Sequence, residues 1–112
     1  MILFLDDNYR RTREFLSNYP KAYHTATAQG CIKKLSQGVW EIVFLDHDLE
    51  GERMQDPNSP LSGMEVVRWI EENKPRVKVF IVHSQNPSGA PEMVERLRAA
   101  GYSAWAVPYG EF

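Results

Sequence analysis

Three polar clusters in this chain contain residues that can do chemistry: Asp6-Asp7, Asp46-His47-Asp48 and His83-Ser84-Gln85-Asn86-Pro87. Each follows a mostly apolar run, and ionisable groups at the end of a buried strand are costly unless something pairs with them. Asp6, Asp7 and Asp46 at one rim would repel one another, and a divalent cation would relieve that repulsion. An all-oxygen ligand set suits Mg²⁺ or Mn²⁺. The plainer account is solvated strand ends and helix capping, with Asp7 as an N-cap. Both readings stand. His47 lies between two acids. It is a ligand that shifts preference toward Mn, Fe or Zn, a general acid or base titrating near neutrality, or a histidine hydrogen-bonded to the next loop. Extended backbone would point Asp46 and Asp48 one way and His47 the other. His83 ends an otherwise apolar strand, as a site residue or as a group satisfying local backbone. Ser84 and Asn86 can hold phosphate oxygens beside free amides of the following helix. Turn chemistry accounts for Pro87 and Gly89.

Cations lie near these clusters. Arg10, Arg11 and Arg13 follow Asp6-Asp7 closely. They read mainly as a solvated helix face, with Arg10 the candidate to reach an anionic substrate. Arg53, in a long polar loop, reads either as loop surface or as a cation that closes over a ligand. His24 is expected at an exposed or edge-strand position, and Cys31 as a small core residue on its helix.

The elements that must position these residues alternate. Ile2–Leu5 reads as a buried strand, and Asn8–Tyr19 as a helix with Asn8 as N-cap, ended by Pro20. Ala22–Thr25 is a weak strand, and Thr27–Gln37 a helix closed by Gly38. Glu41–Leu45 is the third strand, followed by a loop over Leu49–Leu61 rich in turn formers. Ser62-Gly63-Met64-Glu65 has capping-box spacing and opens a helix carrying Val66, Val67, Trp69 and Ile70. Val77–Val82 is a fourth strand, expected to be buried on both faces. Pro91–Ala100 is a helix with Gly101 at its end, and Tyr102–Val107 a last strand. Strands alternating with helices predict one α/β domain over residues 1–112, with a doubly wound parallel sheet. Right-handed crossovers put helices on both faces, and the site falls at the carboxyl ends of the strands. All three clusters lie there.

Composition narrows the class. The chain has 112 residues, room for one core and not two. At 43% hydrophobic and 25% charged with a net charge of −2, it gives no argument for bulk attraction to nucleic acid or membrane. No apolar run approaches the roughly 20 residues of a membrane span. Met1–Leu5 is too short for a signal peptide and lacks a preceding basic segment. Cys31 is the only cysteine, which excludes an intrachain disulfide and suits a reducing, cytoplasmic setting.

Leu5-Asp6-Asp7 after a first strand, Phe44-Leu45-Asp46 ending the third, Gly63 opening a helix and the closing run Gly101–Tyr109 together resemble the receiver domain of two-component response regulators. The resemblance covers nearly the whole chain. It implies a flavodoxin-like sheet of order 2-1-3-4-5. It also implies Mg²⁺ binding by Asp6, Asp7 and Asp46, a further ligand from the Asp48 carbonyl, and phosphoryl acceptance on Asp46. The chain departs from that pattern at four places. His83 stands where receivers have Ser or Thr, and Pro108 where they have Lys. The loop before Gly63 is longer, and the fifth helix is missing.

A narrower resemblance rests on Leu5-Asp6-Asp7, Leu45-Asp46-His47-Asp48-Leu49 and His83-Ser84-Gln85-Asn86-Pro87. These motifs are similar to those of the cyclic-phosphate-processing receiver-like family. That resemblance implies a metal-dependent phosphoesterase acting on a cyclic phosphate, at an RNA end or on a nucleotide. His47 and His83 would then form the pair that activates water and protonates the leaving hydroxyl. The other reading is a non-enzymatic signalling or partner-binding domain. Without a fifth helix, Trp105, Val107 and part of Val79–Val82 would form an open apolar face, suited to a homodimer or another partner.

Overall fold

The computed structural model describes residues 1–49, 51 and 54–112; the expectation for Arg53 falls outside them. Among the described residues five strands and four helices alternate. They are β1 Ile2–Leu5, α1 Tyr9–Asn18, β2 Tyr23–Thr25, α2 Ala28–Leu35, β3 Trp40–Leu45, α3 Gly63–Asn73, β4 Val77–Val82, α4 Gly89–Ala99 and β5 Ser103–Ala106. The strands form one parallel sheet in the order β2-β1-β3-β4-β5, the flavodoxin-like arrangement the sequence predicts.

Alternating side chains divide the core in two. Leu3, Leu5, Val43, Leu45, Phe80 and Val82 face α2, α3 and α4 in the larger cluster. Cys31 is fully buried there, and burial pushes its thiol up to about 12. Ile2, Phe4, Ile42, Phe44 and Ile81 face the other way, where α1 covers them through Phe15 and Leu16. This second layer is thin, which corrects the expectation for β4. Phe80 and Val82 are buried, whereas Val79 and Ile81 are only half-buried.

Among the described residues no helix follows β5. The chain instead folds back across the α1 side of the sheet. The Phe112 ring lies 4.7 Å from that of Phe44, and the Tyr109 hydroxyl donates to the Arg11 carbonyl at 3.1 Å. The open face is therefore narrower than expected. Trp105 remains 56% exposed with the Arg98 guanidinium 4.9 Å over its ring, and Val107 is half-buried. No described helix is long and apolar enough to cross a membrane.

Helix ends follow local hydrogen bonding. Asn8 accepts from the Arg11 amide at 3.0 Å, as an N-cap should. Ser62 opens α3 without forming a capping box: its hydroxyl donates to the Ser59 carbonyl, and Glu65 accepts from Arg68. α2 ends on Ser36 in right-handed conformation rather than at Gly38. α4 starts at Gly89, ahead of Pro91, because the Asn86 Oδ1 accepts from the amides of Ser88 and Gly89 at 3.1 and 2.8 Å. Gly101, with φ of +101°, closes that helix as predicted.

Candidate metal centre

β1, β3 and β4 are neighbours in the sheet, so their polar exits meet at one rim. Asp6 leaves β1 fully buried and takes four hydrogen bonds from described residues. Its Oδ1 accepts from the Asn8 amide at 2.8 Å and Arg11 Nη2 at 3.0 Å. Its Oδ2 accepts from Arg11 Nε at 2.8 Å and lies 3.2 Å from His83 Nε2. Burial pushes the Asp6 carboxyl up, but His83, Arg11 and the Asn8 amide outweigh it and hold it at about 2.

Asp46, at the end of β3, has fewer partners. Its Oδ1 accepts from the His47 amide at 2.8 Å, and Arg11 Nη2 lies 3.6 Å from its Oδ2. Burial, reinforced by repulsion from Asp6, lifts its carboxyl to about 7 against the pull of Arg11. A buried carboxylate beside a second one is the electrostatic problem a cation solves. His83 leaves β4 with its ring stacked on Phe4, centroids 5.0 Å apart. Burial pushes its pKa below the ordinary value, against the attraction of Asp6. Its Nδ1 is buried with no partner among the described residues.

One potential ligand atom from each of Asp6, Asp46 and His83 lies within 4.8 Å of the others. This set of two carboxylates and an imidazole fits a divalent metal. The three clusters border a cavity of about 570 Å³, with Asp7, Arg11, Asp46, Asp48, His83, Ser84 and Tyr109 among its lining residues. Asp7 reaches the wall with its Oδ2 accepting from the Gly51 amide at 2.5 Å. Ser84 Oγ accepts from the Asn86 amide at 3.1 Å.

His47 points away from this cavity. Its ring is fully buried beneath α4, where a Cβ on Gly89 would come within 2.3 Å of it. Its Nδ1 lies 2.9 Å from Asp48 Oδ1. Asp46 and His47 thus point opposite ways, as extended backbone predicts, but Asp48 departs from that prediction because its carboxylate bonds the His47 ring, and the two histidines do not meet across one cavity. Asp48 is likewise occupied in tying the loop down. Its carboxylate accepts from the amides of Met54 at 3.0 Å and Gln55 at 2.9 Å, and from Asn86 Nδ2 at 2.9 Å. Burial opposes ionisation of Asp48, but the bonds from His47, Asn86 and these amides lower its pKa. Gln55, unmarked in the sequence reading, completes the knot by accepting from the Leu49 amide.

Arg10 is also displaced from its expected role. It is highly exposed and pairs with Glu14 at 3.4 Å, while Arg11 turns inward. The signal for this was available: Phe15 is the buried apolar residue of α1, beside buried Thr12, and Arg11 precedes Phe15 by four positions, on the same helical face. His24 sits on edge strand β2, half-buried, with Nε2 2.8 Å from the Asp6 carbonyl.

A family model described as the cyclic-phosphate processing receiver domain matches residues 1–99. No curated protein matches the chain. Among solved structures, a response regulator from Colwellia psychrerythraea is similar at TM-score 0.65 and 14% identity, over 98% of this chain and 86% of that one. The signal receiver domain of a Vibrio parahaemolyticus protein is similar at TM-score 0.60 and 17% identity, over 96% and 77%. A response regulator from Burkholderia pseudomallei, crystallised with a phosphorylated aspartic acid, a calcium ion and citrate, matches at TM-score 0.60 and 11% identity, over 94% and 57%. At these identities the likeness carries the fold.

Proposed function

The chain belongs to the cyclic-phosphate processing receiver domain family, and from that premise we propose that its rim cavity is a divalent-metal site that opens a cyclic phosphodiester on an RNA end or a nucleotide. The observation that carries this reading is the convergence of Asp6, Asp46 and His83 beside a cavity large enough for a nucleotide-sized ligand. Asp6, Asp46 and His83 would hold Mg²⁺ or Mn²⁺, and the imidazole favours Mn²⁺. When bound, such an ion supplies positive charge to the phosphoryl oxygens and lowers the pKa of water. In the overall reaction a water oxygen bonds to phosphorus, one ester P–O bond breaks, and the proton from water ends on the freed hydroxyl. Ser84 keeps its own O–H available for a phosphate oxygen, since its bond to the Asn86 amide uses only a lone pair. Buried Cys31, free among the described residues, suits the reducing cytoplasm that we include in the proposal. Incubation with 2′,3′-cyclic nucleotides and Mn²⁺ or Mg²⁺, followed by phosphorus NMR, tests the activity. The expected product is a phosphate monoester, absent with Asp46→Asn and His83→Asn. No turnover under any metal condition sinks the reading.

One observation favours a second reading, a signalling module with Asp46 as phosphoacceptor. Asp46 borders the cavity, and its Oδ2 has Arg11 Nη2 3.6 Å away. The Burkholderia pseudomallei response regulator of similar fold, crystallised with a phosphorylated aspartic acid, supports this reading. Incubation with a small phosphodonor and intact-mass measurement separates the two readings. A stable adduct, lost with Asp46→Asn, would favour the signalling module.

A further inference from the structure

We propose that Arg11 is a movable counter-ion that competes with the metal for Asp6 and Asp46 and, once displaced, binds the phosphate. This inference rests on the metal-site reading above. Arg11 bridges two of the carboxylates that would hold a metal: Nη2 is 3.0 Å from Asp6 Oδ1 and 3.6 Å from Asp46 Oδ2, and Nε is 2.8 Å from Asp6 Oδ2. The acceptor capacity of a carboxylate is about four hydrogens, and Asp6 already takes four. A second cation at this pair therefore meets both occupied oxygens and like charge.

The donors on Asp6 differ in freedom. The Asn8 amide belongs to the helix-capping turn, and the His83 ring is held by its stack on Phe4. The Arg11 side chain is long, unbranched and 38% exposed, so it is the group able to swing away, whereas His83 can give up its Nε2 proton without moving. When it leaves, its tether in the first turn of α1 keeps it at the cavity. It is the one Lys or Arg among the described lining residues, and the carboxylates lining the same cavity are Asp7, Asp46 and Asp48. A guanidinium forks onto phosphate oxygens as readily as onto a carboxylate. The same side chain thus neutralises the carboxylates or the ligand, and metal binding selects which.

The test uses Mn²⁺ and inorganic phosphate as probes, with the wild type and Arg11→Gln. Free Mn²⁺ is followed by its paramagnetic resonance signal and phosphate by calorimetry. We expect Arg11→Gln to bind Mn²⁺ about tenfold more tightly or better, equivalent to about 1.4 kcal/mol. With Mn²⁺ bound, its phosphate affinity should be about tenfold or more below that of the wild type. If circular dichroism shows Arg11→Gln unfolded, Arg11→Lys carries the metal test. Its ammonium cannot fork across both carboxylates, so Mn²⁺ should again bind more tightly. Equal or weaker Mn²⁺ binding by the folded variant, or unchanged phosphate affinity in Arg11→Gln, overturns the proposal. Absence of Mn²⁺ binding by every protein overturns the metal-site reading with it. Failure to hydrolyse cyclic nucleotides leaves the proposal standing, since neither readout is turnover.

Discussion

Asp6 and Asp46 are neighbouring carboxylates in opposite electrostatic situations. Asp6 is ionised because four donors surround it; Asp46 is pushed up to about 7 because it is buried next to that charge. The consequence for stability has a definite sign. A carboxyl near 3.8 in the unfolded chain and about 7 when folded binds an extra proton in the native state between those values. Stability attributable to Asp46 therefore falls as pH rises from about 4 to about 7 and is level above. In a chelator, Asp46→Asn should be more stable than the wild type at pH 8, by up to about 4 kcal/mol, and should lose that advantage near pH 4. Thermal melts at the two pH values check this. Mn²⁺ should raise the wild-type midpoint and leave Asp46→Asn nearly unmoved. An advantage of Asp46→Asn that persists at pH 4 would mean the carboxylate is not destabilised by its surroundings.

Two helix N-termini fit against the segment leaving β3 only because glycine begins them. A Cβ on Gly63 would lie 1.8 Å from the Asp46 carbonyl oxygen, and backbone on both sides leaves little room to give. Gly63→Ala should cost about 3 kcal/mol or more by denaturant titration, and a loss under 1 kcal/mol would contradict this packing. At α4 the contact is with the His47 ring, which packs against that helix and is not among the cavity's lining residues. Asn86 links that helix to the long loop: its Oδ1 takes the Gly89 amide, while its Nδ2 donates to Asp48 and to the Gln55 carbonyl at 3.3 Å. Asn86→Ala should destabilise by about 1–3 kcal/mol through unsatisfied buried groups. It should also speed amide exchange at Met54 and Gln55 ahead of the strands. Unchanged protection at those amides would show that the loop is held by other means.

Across the whole molecule, the two faces of the sheet are unequally covered. Three helices pack on one; α1 and the returning segment with Tyr109 and Phe112 pack on the other. Trp105 lies beyond that segment, exposed beside half-buried Val79 and Ile81. We propose self-association through this strip. Sedimentation at rising concentration should show a dimer, with Trp105→Ser shifting it toward monomer. A wild type that sediments as a monomer throughout would dismiss the proposal.

The order of the elements and the class of fold were legible in the chain, because hydrophobic runs, helix caps and crossover rules are local or topological. The sheet order and strand-end position of Asp6, Asp46 and His83 followed from the same rules and the family motifs. Assigning roles to the polar residues was harder, because it depends on which way each side chain turns. Adjacent Arg10 and Arg11 differ by about 100° around a helix, and packing of Phe15 sends one to solvent and the other to Asp6. His47 and Asp48 sit in a motif that suggests chemistry. The close approach of α4 and the fold of the long loop instead engage them in buried hydrogen bonds. Local pattern determined where the strands end; contacts between residues far apart in the chain decided which groups meet in the cavity.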